Sequence, residues 1–426
     1  MTIAVFLISL LGTMAMGIPI ALSLIMSGIA LMFHLGMDNS QILASTLMDG
    51  ADNFPLMAIP FFVLAGELMN AGGISKRIIN FAIALVGHVR GGFGYVVIIA
   101  SVIFAGLSGS AVADAAALGS ILIPMMAEMG YSRMQSAALV ASAGIIAPIM
   151  PLSIPMIVFG VTANVSIPKL FMSGIVPSMI LAVMLAATWT WIVRKGEFKV
   201  MPRRTPGEIF QAAKGAAWAF VLPFIIIFGL RGGIFTPTEA ASIAAVYALF
   251  VGTVVYREIT PSRLYHVVLA AGKTTSVIML LAAAAMVSSW LITVANIPGQ
   301  LTEMLAPFMK DKILLMFMIN IAVLIVGTAM DLTPTVLILT PVLMPIINQA
   351  GIDPIYFGFM FVFNNCIGLL TPPVGTVLNV AAGVGRVSMD DIIKGVMPYM
   401  WIEIILLLLL TFFPQLVLVP LKWFIG

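Results

Sequence analysis

Gly106-Leu107-Ser108-Gly109-Ser110-Ala111-Val112-Ala113-Asp114 is a short polar, glycine-bearing turn between two apolar runs. The same sense recurs 221 residues later in Gly327-Thr328-Ala329-Met330-Asp331-Leu332-Thr333-Pro334 (327 − 106). Inside hydrocarbon, backbone polar groups left open by such a turn would each cost several kcal/mol unless a cavity, an ion or neighbouring protein met them. Each stretch is therefore predicted to be the tip of a re-entrant helical hairpin, one that enters and leaves by the same membrane face. The match at this offset runs without a gap from Gly106 to Pro177. Gly106 pairs with Gly327, Pro124 with Pro345, Gly130 with Gly351, Pro151 with Pro372, Gly174 with Gly395 and Pro177 with Pro398. Two halves share one plan.

Composition fixes the solvent. Of the 426 residues 62% are hydrophobic and 9% charged, too little polar surface to cover a water-soluble globule. Apolar runs such as Ile175 to Val193, Ala216 to Leu230 and Ile404 to Val419 approach the roughly 20 residues of a membrane-crossing helix. They are apolar on every face, which excludes the alternating pattern of a β-barrel. The reading is an all-α polytopic membrane protein. Thr2 to Phe33 lacks a basic flank before its apolar part and reads as one retained span, not a signal peptide. A single cysteine, Cys366, excludes a disulfide within the chain, and three scattered histidines give no metal-ligand spacing.

The formal net charge is +3, and its distribution reflects topology, not a nucleic-acid partner. The one soluble-looking stretch, Arg194 to Lys214, is basic and belongs in the cytoplasm by the positive-inside rule. Counting spans from it, with both tips as hairpins, places 15 of the 20 Lys and Arg inside and leaves Lys169, Arg231, Lys310, Lys312 and Lys422 outside. The chain then begins inside and ends outside, and its halves have opposite orientations. That is the inverted-repeat plan of many secondary transporters, with the site between the repeats near the midplane.

A second interruption recurs in each half. Gly144 to Pro155 carries Pro148, Pro151 and Pro155 around Ser153, and Gly368 to Thr376 carries Thr371, Pro372, Pro373 and Gly375. Neither stays regularly helical, so each is expected to be a broken span. A helix leaving a tip or break turns free N–H groups toward an anion, while carbonyls on the entering side suit a cation. Asp331 and, less strongly, Asp114 are the acids at the tips, and Asn364 and Asn365 supply amides just before the second break. Glu67 and Glu239 sit near predicted span ends and read as interfacial. The predicted organisation is scaffold helices over 1–75, a first hairpin and broken helix over 76–168, scaffold over 169–295 with the basic loop 194–215, a second hairpin and broken helix over 296–390, and a last scaffold helix over 391–426.

With these motifs in view, the chain resembles the large membrane subunit of tripartite ATP-independent periplasmic (TRAP) transporters. The resemblance is carried by GLSGSAVAD (106–114), GIIAPIMPLSIP (144–155), MDLTPTVLILTPVLMP (330–345) and CIGLLTPPVGTVLNV (366–380), and by IPFFVLAGELMNAGG (59–73) and FTPTEAA (235–241). It covers essentially the whole chain, and its finer look is toward permeases for acidic sugars such as 2,3-diketogulonate or sialic acid. It implies an elevator-type fold, sodium-coupled import of an organic acid, and residence in the bacterial inner membrane. It also implies two partners outside this chain, a small membrane subunit of about four helices and a soluble periplasmic substrate-binding protein. Carried over by motif, Ser108, Ser110, Gly144 and Pro148 would form one sodium site and Gly327, Gly368, Thr371 and Thr376 its repeat-related partner. Ser153, Asp331 and Asn365 would lie at the substrate pocket, with no cofactor besides the coupling ions.

Other classes lack their residues. There is no HExxH, no GxSxG and no phosphate-cradling GxxxxGK, so neither an intramembrane hydrolase nor an ATP-driven pump is written here. A channel, or a two-part sodium/dicarboxylate carrier working without a binding protein, stays open as an alternative.

Overall fold

The computed structural model describes residues 2–425 apart from 38, 195 and 197. Among them the chain is helical throughout, with no strand. The first half runs α1 (Thr2–Ala15), α2 (Ile20–His34), α3 (Ser40–Ala51), α4 (Ala58–Ala71), α5 (Ile74–Val86), α6 (Gly92–Ser108), α7 (Ala111–Glu128), α8 (Arg133–Gly144), α9 (Ile154–Thr162) and α10 (Ile167–Val193). The second runs α11 (Pro206–Arg231), α12 (Pro237–Phe250), α13 (Pro261–Val294), α14 (Ile297–Leu305), α15 (Lys312–Ala329), α16 (Leu332–Gln349), α17 (Pro354–Gly368), α18 (Thr376–Gly385), α19 (Met389–Phe412) and α20 (Gln415–Ile425). Among the described residues ten helical stretches are long and apolar enough to cross a membrane. Side chains fix many of the starts: Ser110, Ser132, Ser153, Thr205, Thr236, Asp311, Asp353 and Ser388 each accept a hydrogen bond from an N–H of the helix that follows.

The offset read from glycines and prolines also relates the helices of the two halves. Both α7 to α16 and α8 to α17 begin 221 residues apart (332 − 111 and 354 − 133). The long α13 corresponds to α3 and α4 together, which the turn at 52–57 separates. Each half holds a hairpin, α6–α7 and α15–α16, and a broken span, α8–α9 and α17–α18. Packing between the halves is reciprocal: α18 lies on α7 and α8, while α9 lies on α16 and α17. That exchange is what a two-fold relation between repeats produces. It buries the hydrophobic walls of both broken spans in one core, where Phe159, Phe357 and Phe361 meet with ring centroids about 6 Å apart.

A second body of helices surrounds this core on one side. Helices α2 and α3 pack on α13, and α4 packs on both α12 and α13. It meets the hairpins where α4 touches α6 and α13 touches α16. The connecting helix α5 is amphipathic, burying Ile74, Ile78, Ile79, Ala82 and Ile83. It is held to the α12–α13 turn by Arg77, whose Nη1 donates to the Glu258 carboxylate at 2.6 Å and whose guanidinium lies 3.8 Å over the Tyr256 ring.

Two expectations change. Thr2 to Phe33 is not one span but the two helices α1 and α2, packed on each other, because Gly17 at φ +83° and Pro19 turn the chain. The basic stretch is also shorter than 194–215, ending where Thr205 caps α11. It is no free loop either. The Lys199 N–H donates to the Met129 carbonyl at 3.1 Å and the Met201 N–H to that of Gly87 at 3.3 Å, while Phe198 stacks on Tyr131 with centroids 4.2 Å apart. The loop thereby straps the base of the first hairpin.

Candidate functional site

Both hairpin tips reach one cavity of about 820 Å³ between the repeat core and the scaffold. The first tip contributes Ser108, Gly109, Ser110 and the opening turn of α7, and the second contributes Asp331, Leu332, Thr333 and Pro334. Opposite them, one face of α4 supplies Val63, Gly66, Glu67 and Asn70, and one face of α13 supplies Thr274, Val277, Ile278 and Leu281. These spacings of three and four residues are those of a single helical face. Among the described residues no Lys, Arg or His lines the cavity.

At the first tip Gly109 takes φ +62°, a conformation that favours glycine, and a side chain there would collide with the Leu152 carbonyl of the first break. Ser108 hydrogen-bonds the Asp114 carboxylate and accepts from the Ser110 N–H at 3.3 Å. Asp114 is 1% exposed, and its second oxygen has no partner among the described residues. The Ser110 hydroxyl caps α7 through the Ala113 N–H. Gly144 brings α8 against this helix start, since a Cβ on it would stand 3.2 Å from the Ala111 carbonyl oxygen, and Pro148 lines the cavity. The four residues of the expected first sodium set thus surround one tip and one break.

The second set gathers the same way. Gly327 and Gly368 are in direct backbone contact, and a Cβ on Gly368 would lie 2.7–2.8 Å from the Gly327 backbone. The Thr376 hydroxyl donates to the Asp331 carboxylate at 3.1 Å, tying the start of α18 to the start of α16. The Val374 N–H donates to the Thr328 carbonyl at 3.3 Å, and the Thr371 hydroxyl turns back to the Ile367 carbonyl at 2.8 Å.

Of the residues expected at the substrate pocket, Asp331 lines the cavity and the other two do not. Ser153 is fully buried as the cap of α9, accepting from the Met156 N–H at 3.2 Å. Asn365 is fully buried behind the second tip, where its Oδ1 has no partner and would stand 3.0 Å from a Cβ on Gly327. Its neighbour Asn364 joins α17 to α15 by donating to Asn320. The residue that sequence reasoning misplaced is Glu67. Expected at an interface, it faces the cavity beside the first tip: a Cβ on adjacent Gly66 would lie 3.7 Å from the Ser108 Cα. The place of Glu67 in the quoted stretch 59–73, three residues before Asn70 on one helical face, is a signal that could have pointed there.

Paired tips, paired breaks and a shared cavity describe an inverted-repeat carrier. A family model described as "Tripartite ATP-independent periplasmic transporter, DctM component" matches residues 7–416. The chain belongs to this family. It is 53% identical over 423 residues to the 2,3-diketo-L-gulonate TRAP transporter large permease of Escherichia coli K12, covering 99% of this chain and all of that one. It is 37% identical over 416 residues to the sialic acid TRAP transporter large permease of Vibrio cholerae, covering 98% and 97% of the two chains. The YdaH transporter of Alcanivorax borkumensis shares the fold, with a TM-score of 0.61 at 14% identity over 91% of this chain and 90% of that one. The protein is a TRAP large permease, a multi-pass transporter of the bacterial inner membrane and not an enzyme.

Proposed function

We propose that this large permease imports an organic acid in symport with sodium, by an elevator motion in which the repeat core with both hairpins slides against the scaffold. The observation that carries the reading is the convergence of both tips on one cavity lined by Glu67 and Asp331 and, among the described residues, by no basic side chain. An anion has no Lys or Arg to meet it there. Its positive partners would be the N-terminal N–H groups of α7 and α16, roughly half a charge each, and cations held at the tips. A carboxylate that needs sodium beside Asp331 gives coupling a physical origin, because each ligand raises the affinity for the other.

Ser108, Ser110, Gly144 and Pro148 would hold one sodium ion and Gly327, Gly368, Thr371 and Thr376 the other. The acid would lie between them against Asp331, with Ser153 and Asn365 supporting the pocket from behind. The family's tripartite make-up supplies the remaining parts, a separate small membrane subunit and a periplasmic binding protein that delivers the acid, an acidic sugar or a C4-dicarboxylate. The test is uptake in liposomes containing both membrane subunits, with the binding protein outside and an inward sodium gradient. Uptake should require all three chains and the gradient. Saturable uptake by this chain alone would point instead to a carrier that works without a binding protein.

A further inference from the structure

Resting on the second sodium site proposed above, we infer that Glu403 is a proton-binding site inside the repeat core, and that it gives up its proton as sodium fills that site. Glu403 lies within α19 and is fully buried, and among the described residues neither of its carboxylate oxygens has a hydrogen-bond partner. Asp114, also buried, has Ser108 at one oxygen, and Asp331 has Thr376. Glu403 has nothing at either, and neither ion pair among the described residues engages it. A charge left in this position would be costly, so the carboxyl holds a proton.

The surroundings supply no counter-charge. Helices α8, α10, α15, α17, α18 and α20 pack on α19. Their cations stand at helix ends: Arg133 opens α8, Lys312 opens α15, Lys169 lies in the first turn of α10 and Lys422 in the last turn of α20. Helix α18 has no titratable residue, and Asp390, Asp391 and Lys394 lie in the first two turns of α19. That leaves buried Tyr399, one turn before Glu403, and Tyr356 and Cys366 of α17, and the Tyr356 hydroxyl is given to the Leu410 carbonyl at 3.0 Å. Amide donors are spent as well, Asn364 on the Asn320 carbonyl at 2.8 Å, Asn320 on Thr411 at 2.9 Å and Asn365 on the Phe361 carbonyl at 3.3 Å. Glu403 does not line the tip cavity, so a proton, which needs no shell of ligands, fits where a metal ion does not.

The link to sodium runs through Met400. Three residues before Glu403 on the same helical face, its Sδ accepts from the Thr371 hydroxyl at 3.7 Å. Adding one helical turn puts the carboxyl some 10 Å from Thr371. At that range a sodium ion and a carboxylate favour each other by about tenfold, and by reciprocity sodium loosens the proton by the same factor. The step is an exchange: the O–H bond of Glu403 breaks, its electron pair stays on the carboxylate, the proton passes to water and one sodium ion enters, leaving the charge of the core unchanged.

The permease with its small subunit would be placed in nanodiscs without sodium. Its infrared spectrum should contain the C=O stretch of an un-ionised carboxyl that Glu403→Gln and, in parallel, Glu403→Met both lack. Sodium added to the unsubstituted complex should move intensity from that band to the carboxylate stretch, a readout that needs no variant to fold. In weak buffer over a pH series, sodium should release protons with a maximum at one pH, and both variants should lack that maximum. Raising the pH through it should lower the sodium concentration for half-saturation by about tenfold in the unsubstituted complex and leave that of Glu403→Gln constant. A missing band, no proton release at any pH, or release that both variants retain would overturn the assignment of Glu403. Uptake that still requires the sodium gradient would in those cases uphold the carrier reading, whereas sodium-independent uptake would sink that reading and the exchange with it.

Discussion

Substituting Gly368 by alanine should loosen the second sodium site. A Cβ there would lie 2.7 Å from the Gly327 carbonyl carbon and 2.8 Å from its Cα and O, where ordinary contact begins near 3.4 Å. The neighbour is backbone and cannot swing aside, so the tip of the second hairpin must move from the second break by some 0.6 Å. Overpacking of this kind costs about 1–3 kcal/mol. If the ion bridges tip and break, that strain is relieved by opening the site, and the sodium concentration for half-maximal uptake rises roughly 5- to 150-fold. Gly383→Ala is the control, because nothing lies within 4 Å of the added methyl group. The assay is a sodium titration of uptake by the complete transporter, with thermal stability of the purified membrane complex read alongside. A Gly368→Ala titration that coincides with that of Gly383→Ala would refute the idea that this backbone contact bounds an ion site.

Three further outcomes follow from the same geometry. Ser108→Ala and Thr371→Ala should each raise the sodium requirement by about fivefold or more, while Thr253→Ala, whose hydroxyl bonds only the Leu249 carbonyl on the scaffold, leaves it unchanged; coincident titrations of all three would show that the wrong hydroxyls were chosen. In the Cys366→Ala background, cysteines at Ala113 and Ala329 should be modified from the cytoplasmic and periplasmic faces respectively, in alternation, and sodium plus substrate should protect both; simultaneous reaction from both faces would mean an open pore. Arg77→Ala should lower the stability of the purified complex by about 1–2 kcal/mol, because it removes both the half-buried pair with Glu258 and the stacking on Tyr256. Arg77→Lys should recover little of it, since an ammonium lacks the planar face and fork of the guanidinium; full recovery in a chemical denaturation series would contradict this.

Much of this protein was legible along the chain, because in an apolar sequence glycine, proline and hydroxyl residues act locally. Gly106 to Ser110 and Gly327 to Thr333 cannot continue a helix in hydrocarbon without exposing backbone, so the hairpins, the breaks and the offset between halves could be read directly. The split of Thr2 to Phe33 at Gly17 and Pro19 was missed because apolar residues flank the turn on both sides and no polar group marks it. What only the tertiary structure decided is which residues share the cavity. Ser153 and Asn365 carry the right chemistry in the right motifs yet are turned into the core, and Glu67, read as interfacial, faces the cavity that both tips reach. The physical reason is that a broken helix exposes its backbone wherever it breaks, which neighbours in sequence determine. The direction of a side chain on an unbroken helix such as α4 is set by what packs around it, here a tip 42 residues away (108 − 66) that Gly66 allows to come close.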